Sequence, residues 1–172
     1  MKKLLIGGLM YVGLAVFVNA VSAQDVAFSP NRVAAASPFP EKKTSIISEM
    51  DVNMHAVRDF RKNFANATHV QWVRTDNGNS VYFMNEGKRM RSSYNFKGNR
   101  EYTLKYYDES GMSRNLRHRV KSNYYDHTIV IVTEVSRNNE VYYLVKMENP
   151  KEYLTLRITD DDISVFEKID KL

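Results

Sequence analysis

The sequence contains no cysteine, which excludes disulfides and thiolate metal sites and leaves the fold to rest on an ordinary apolar core. With no cysteine behind the N-terminal apolar run, a lipoprotein anchor is excluded as well. The four histidines, His55, His69, His118 and His127, make no short-spaced ligand motif. His118 and His127 read as surface residues. A Gly-rich phosphate loop and a nucleophile elbow are also missing, and the acidic residues fall mostly in turns instead of converging as paired carboxylates would. The expectation is a protein without metal or cofactor, and not an enzyme. Strong charge is lacking too: without Lys2 and Lys3, basic residues fall from 25 to 23 against 20 acids, and net charge from +5 to +3. That balance does not point to nucleic acid.

What is present begins with export. Lys2 and Lys3, an apolar run from Leu4 to Val18 and small residues ending Val21-Ser22-Ala23 have the layout of a signal peptide, residues 1–23. The run is short for a membrane span, which needs roughly 20 apolar residues, so contact with the membrane is expected only through the cleaved signal. The expected location is the periplasm, or the medium. Residues 24–49, with Pro30, Pro38, Pro40 and Ala34-Ala35-Ala36-Ser37, show no helical or strand period and read as a flexible leader.

The remainder repeats itself at an unbroken offset of sixty positions. Asn63/Asn123, Thr68/Thr128, Val70/Val130, Asn79/Asn139, Val81/Val141 and Tyr82/Tyr142 are identical pairs, and size and polarity recur between them. An internal duplication follows, with units at 50–109 and 110–172. In the first, Met50, Met54, Val57, Phe60 and Phe64 form a helical stripe. Strands follow near 68–74, 80–84, 88–96 and 100–107, parted by turns such as Asp76-Asn77-Gly78-Asn79. In the second, Ser113 caps a helix carrying Leu116, Val120 and Tyr124, before strands near 127–135, 140–147, 152–158 and 163–169. The expected fold is α+β: a tandem repeat of a helix plus a four-stranded antiparallel meander sheet, with the helices packed on one sheet face.

Alternation assigns Val70, Trp72, Val81, Phe83, Met90, Tyr94, Phe96, Tyr102 and Leu104 to the helix-covered face. The offset adds Val130, Val132, Val141, Tyr143, Leu154, Leu156, Ile158, Ile163 and Val165. The back face then holds Gln71, Val73, Tyr82, Met84, Arg89, Arg91, Thr103 and Lys105, and in the second unit Ile129, Ile131, Tyr142, Leu144, Tyr153 and Phe166. That second part is too apolar to be simply solvated.

Phe60-Arg61-Lys62-Asn63-Phe64-Ala65-Asn66-Ala67-Thr68-His69-Val70-Gln71-Trp72 resembles the helix-to-strand signature of PepSY-like proteins exported by Bacteroidetes. Tyr94-Asn95-Phe96-Lys97-Gly98-Asn99 is similar to the family's strand, Gly turn and strand, and residues 134–146 resemble a second copy. The likeness covers about 51–172. It implies a fold related to the beta-lactamase inhibitory protein, whose sheet surface grips an enzyme. Asp160-Asp161-Asp162 departs from the family pattern, which has a Gly in that turn, and no gripping residue of the inhibitor carries over.

Tyr and Arg give large contact area and directed hydrogen bonds at interfaces. The candidate binding residues are therefore Tyr82, Arg89, Arg91, Tyr142, Tyr153, Arg157 and Phe166, on the back face. The expected function is an exported non-enzymatic binding protein, engaging a protein partner of the cell envelope and acting as an inhibitor of it. The alternative is an envelope module that takes a small or polymeric anionic ligand through Arg89, Arg91 and Arg157; a homodimer contact would use the same face. Asp160-Asp161-Asp162 lacks the alternating ligands of a calcium loop and reads as a polar turn. Arg114, Arg117, Arg119 and Lys121 read as the solvated side of the second helix.

Overall fold

The computed structural model describes residues 45–172. The expected signal peptide, and the expected leader up to residue 44, lie outside the described residues. Nine strands follow: β1 Ser45–Ile47, β2 Thr68–Thr75, β3 Gly78–Asn85, β4 Lys88–Asn95, β5 Arg100–Tyr107, β6 Thr128–Arg137, β7 Glu140–Glu148, β8 Glu152–Ile158 and β9 Ile163–Asp170. Two helices, α1 Met54–Asn63 and α2 Arg114–Asn123, precede β2 and β6.

Local chemistry sets the helix ends. The side chain of Asn53 accepts the His55 N–H at 2.9 Å, and Ser113 Oγ accepts the Leu116 N–H at 3.2 Å, each satisfying an otherwise orphaned donor. Both helices stop where the next residue, Phe64 or Tyr124, leaves helical geometry at nearly the same angles, φ −133 and −132. α1 starts later than the methionine stripe predicts. Met50 lies in a short 3-10 turn, Glu49–Asp51, and both Met50 and Met54 are exposed; α1 buries Ala56, Val57 and Phe60.

The expected fold class is corrected by the sheet. Among the described residues, all nine strands form one antiparallel sheet in chain order with two short α-helices beside it, so this part of the protein is mostly sheet and not a repeat of helix-plus-four-strand units. The physical reason is that a four-strand meander leaves two open ladders. Pairing from Thr103↔Ser136 to Tyr107↔Val132 uses the β5 and β6 edges against each other. Ser45–Ile47, at the end of the segment read as leader, pairs with β2.

Bulges correct the face assignments, because one extra residue inverts every side chain beyond it. Between β4 and β5 the register passes from Tyr94↔Arg100 to Ser93↔Tyr102. Glu101 is the extra residue. Tyr102 and Leu104 therefore point to the back face with Tyr82, and Thr103 and Lys105 to the helix face, the reverse of the expectation. A second bulge at Val130 puts Ile129 into the helix-side core and leaves Val130 exposed. Val70, Phe96, Val141 and Val165 are exposed as well.

Three apolar clusters result. Under α1, Phe60 meets Trp72 and Phe83 edge-on at 5.5 and 5.0 Å between ring centres. Under α2 the core is aliphatic: Leu116, Val120, Val132, Val145, Met147, Leu154, Leu156 and Ile158. Each such side chain contributes about 1.5–3 kcal/mol when fully buried. The third cluster lies on the back face, and its described members are all strand residues, Val73, Tyr82, Tyr102, Leu104, Tyr106, Val135 and Leu144, with Ile131 and Tyr142 beside them.

Candidate binding face

Strand pairing arranges the back face in rows. One row crosses six strands as Gln71, Tyr82, Arg91, Leu104, Val135 and Tyr142. The next runs Met84, Arg89, Tyr106, Thr133, Leu144, Arg157 and Ser164. Five of the seven expected residues, Tyr82, Arg91, Tyr142, Arg89 and Arg157, therefore share one face on adjacent rows. Tyr153 lies further along it, paired with Glu148 and Ile169. Phe166 does not join them in register: it is the extra residue of a bulge on the edge strand β9, and is exposed.

Burial divides this set. Tyr82 and Arg91 are each 0% exposed, which corrects the expectation that they form an open surface. Arg91 Nη2 donates to Tyr102 OH at 3.0 Å and to Ser80 Oγ at 3.3 Å, and its guanidinium carbon sits 5.4 Å from the Tyr82 ring centre. A guanidinium held between two phenol rings gains cation–π attraction where water is excluded. None of Ser80, Tyr82, Arg91 and Tyr102 is without a partner. Burial raises the Tyr82 phenol well above the usual range, and Tyr106 and Tyr102 raise it further. The hydroxyl stays protonated at any physiological pH.

The other five are accessible. Tyr142 is half-buried, and the Arg157 guanidinium lies over its ring at 4.8 Å. Burial raises the Tyr142 phenol, and the charges of Arg157 and Arg137 lower it in part. Lys171 lies over the Tyr153 ring at 4.3 Å. Arg89, Arg157 and Tyr153 are exposed, as is Lys146 in the row beyond. This is an aromatic and basic surface bordered by Glu148 and Glu167.

One cluster escapes sequence reasoning. His127 is buried, against the reading of it as a surface residue. Its Nδ1 is 2.8 Å from Asp126 Oδ1, its Nε2 3.2 Å from Glu152 Oε1, and Lys121 Nζ donates to its carbonyl at 2.6 Å. The hydrogen bond from His127 holds the Asp126 carboxyl below its ordinary range. Lys168 at 2.6 Å, then His127, does the same for Glu152. The signal was a His one residue after an Asp at a strand start, too common to single out. Among the described residues no group of three or more His, Asp and Glu is arranged to hold a metal ion.

Much of the expected solvated stripe of α2 is tied down. Arg117 Nε pairs with Glu109 at 2.7 Å, and Arg119 Nη1 donates to the Thr159 carbonyl at 2.9 Å, bracing the turn that holds Asp160, Asp161 and Asp162. On the helix side, an open cleft of about 400 Å³ is lined by Phe64, Arg100, Glu101 and Arg137 among others. Arg100 already pairs with Asp59 at 3.4 Å there.

No protein-family model matches the chain, and no curated protein matches it in sequence. Solved structures match it in fold. A BLIP-like protein from Bacteroides fragilis aligns with a TM-score of 0.59 at 14% identity, covering 69% of this chain and 86% of its own. A DUF2874 family protein from Bacteroides ovatus gives 0.59 at 16%, covering 69% and 87%. A Bacteroides eggerthii protein taken to be periplasmic gives 0.58 at 10%, covering 69% and 88%. The chain shares the BLIP-like fold; identities this low speak for fold alone.

Proposed function

We propose that this is an exported, non-catalytic binding protein that holds a protein partner of the envelope, and inhibits it, through the open part of its back face. Its anchors are Tyr142, Tyr153 and Arg157, with Arg89 at the border. The observation that carries the reading is the Arg157–Tyr142 stack at 4.8 Å on an accessible sheet face continuous with a buried apolar cluster. Such a stack is pre-ordered, so little side-chain freedom is lost on binding. The BLIP-like fold supports the reading, as do the PepSY-like segments and the signal-peptide layout, and the location proposed with it is the periplasm.

The rival reading, a small anionic ligand, meets a geometric obstacle. Arg91 is buried, and Arg89 and Arg157 stand four strands apart, about 19 Å at the ordinary strand spacing. Only an extended polyanion would touch both.

Capture from envelope extract with the exported chain tests the proposal, run beside a Y142S/Y153S/R157S variant. A protein retained by the wild type and lost by the variant, with the melting temperature of the variant unchanged, is the expected result. Equal capture by both would move binding off this face. Retention that collapses between low and moderate salt, with a polyanion as the bound species, would favour the rival.

A further inference from the structure

The apolar core under α1 draws on β2–β4, and the core under α2 on β6–β8. β5 lies between them and turns polar residues, Thr103 and Lys105, to the helix side. Lys105 is engaged there by Glu134 at 3.3 Å. Toward the start of β5 the gap between the halves opens as the cleft of about 400 Å³. Phe64 and Met90 give it an apolar lining, Thr103 and Ser136 lie opposite each other across two strands, and Arg100 and Glu101 bring charge. Its volume falls within the range of small-molecule sites.

A regular strand sends consecutive side chains to opposite faces. The bulge at Glu101 breaks that alternation, so Arg100 and Glu101 line one cleft with opposite charges on adjacent residues, their Cα atoms about 3.8 Å apart. Arg100 is braced. Its Nε pairs with Asp59 Oδ2 at 3.4 Å, its guanidinium carbon lies 5.6 Å from the Phe64 ring centre, and the same Asp59 oxygen accepts Tyr94 OH at 2.9 Å. The Nη groups of Arg100 have no partner among the described residues, and neither has the half-buried Glu101 carboxylate. A carboxylate partly withdrawn from water ordinarily finds a donor within the fold.

We propose that this cleft binds a free α-amino acid with an apolar side chain. The Arg100 Nη groups donate to its carboxylate, Glu101 accepts from its ammonium, and Phe64 and Met90 receive the side chain. An α-amino acid carries both charges on one carbon, a spacing that neighbouring residues on one side of a bulge can match. A guanidinium fixed by Asp59 and the Phe64 ring presents its remaining N–H groups in a set direction, as carboxylate recognition requires. The site lies on the opposite side of the sheet from Tyr142 and Arg157, and it stands whether or not that face holds a protein.

The test titrates the exported chain with L-leucine, L-methionine and L-phenylalanine, read by amide shifts and calorimetry. At least one of them should move the amides of Glu101, Thr103 and Ser136 and leave those of Tyr142 and Tyr153 in place. For leucine, the single-charge analogues isocaproate and isoamylamine should each bind at least about tenfold more weakly. E101Q removes a charge that no other described side chain uses, so it should weaken binding by a similar factor with the melting temperature unchanged. No shift at the cleft with any of the three up to about 10 mM overturns the proposal. So does an analogue that binds as well as leucine, undiminished binding by E101Q, or a shift centred on Tyr142.

Discussion

Tyr82 and Tyr142 stand sixty positions apart on one row of one sheet face, yet one is fully buried and the other is accessible beneath an arginine. Their halves differ throughout. Under α1 the core is aromatic; under α2 it is aliphatic. Position 59 is an aspartate that accepts Tyr94 OH at 2.9 Å, whereas its counterpart Arg119 donates to the β8–β9 turn. At the strand start, Ala67 packs against the first core where His127 sits between two carboxylates in the second. Similar helix ends are thus reached with different chemistry. On the back face the first half buries the residues around Arg91, while the second leaves Tyr142, Tyr153 and Arg157 accessible.

The largest effect should separate the two tyrosines. Y82A removes a fully buried aromatic and is expected to cost about 3–5 kcal/mol, against less than about 1 kcal/mol for Y142A at its accessible site. Urea unfolding of both checks this. Equal costs would erase the distinction between the halves.

Next comes acid. The carboxyls of Asp126 and Glu152 are held below their ordinary values of 3.8 and 4.5. A lowered carboxyl pKa adds stability that is full above the unfolded value and is lost as pH falls through the folded one. Below about pH 4.5 the β6–β8 end should therefore loosen before β2–β4, where Ala67 offers no such pair, and amide exchange on either side of that pH reads the order. H127Q should reduce the difference. Simultaneous loosening would show that the cluster does not set local stability.

A smaller effect is expected of Y94F, which removes the hydrogen bond to Asp59 and should cost about 1 kcal/mol. The phenol is raised far above its usual range by burial and then by Asp59, so this bond persists across ordinary pH. The two caps should match most closely: N53A and S113A are each expected to cost about 1 kcal/mol by thermal unfolding.

Much of the strand order was legible from the sequence, because Asn-Gly, Asn-Asn and Asn-Pro punctuate alternating runs, and Asn138 and Asn139 do take positive φ in their turn. Both helices were legible from their apolar spacing, and the second from its Ser113 cap as well, although α1 starts later than its stripe predicts. Side-chain facing failed at Tyr102 and Leu104 because a bulge leaves no mark in composition; Glu101 looks like any strand residue. The fusion into one sheet was not legible either, since pairing between β5 and β6 depends on which edges are left open. Of the expected binding residues, Tyr142, Tyr153, Arg157 and Arg89 are accessible. Tyr82 and Arg91 share their face and are buried, because burial depends on what covers a face and not on which way a side chain points.

Hydroxyl-radical footprinting of the tyrosines in the intact exported chain tests the central asymmetry most directly. Tyr142 and Tyr153 should be oxidised readily while Tyr82, Tyr102 and Tyr106 remain protected in the same sample. Oxidation of Tyr82 at a rate like that of Tyr142 would contradict the account, making the back face one open surface from β2 to β9.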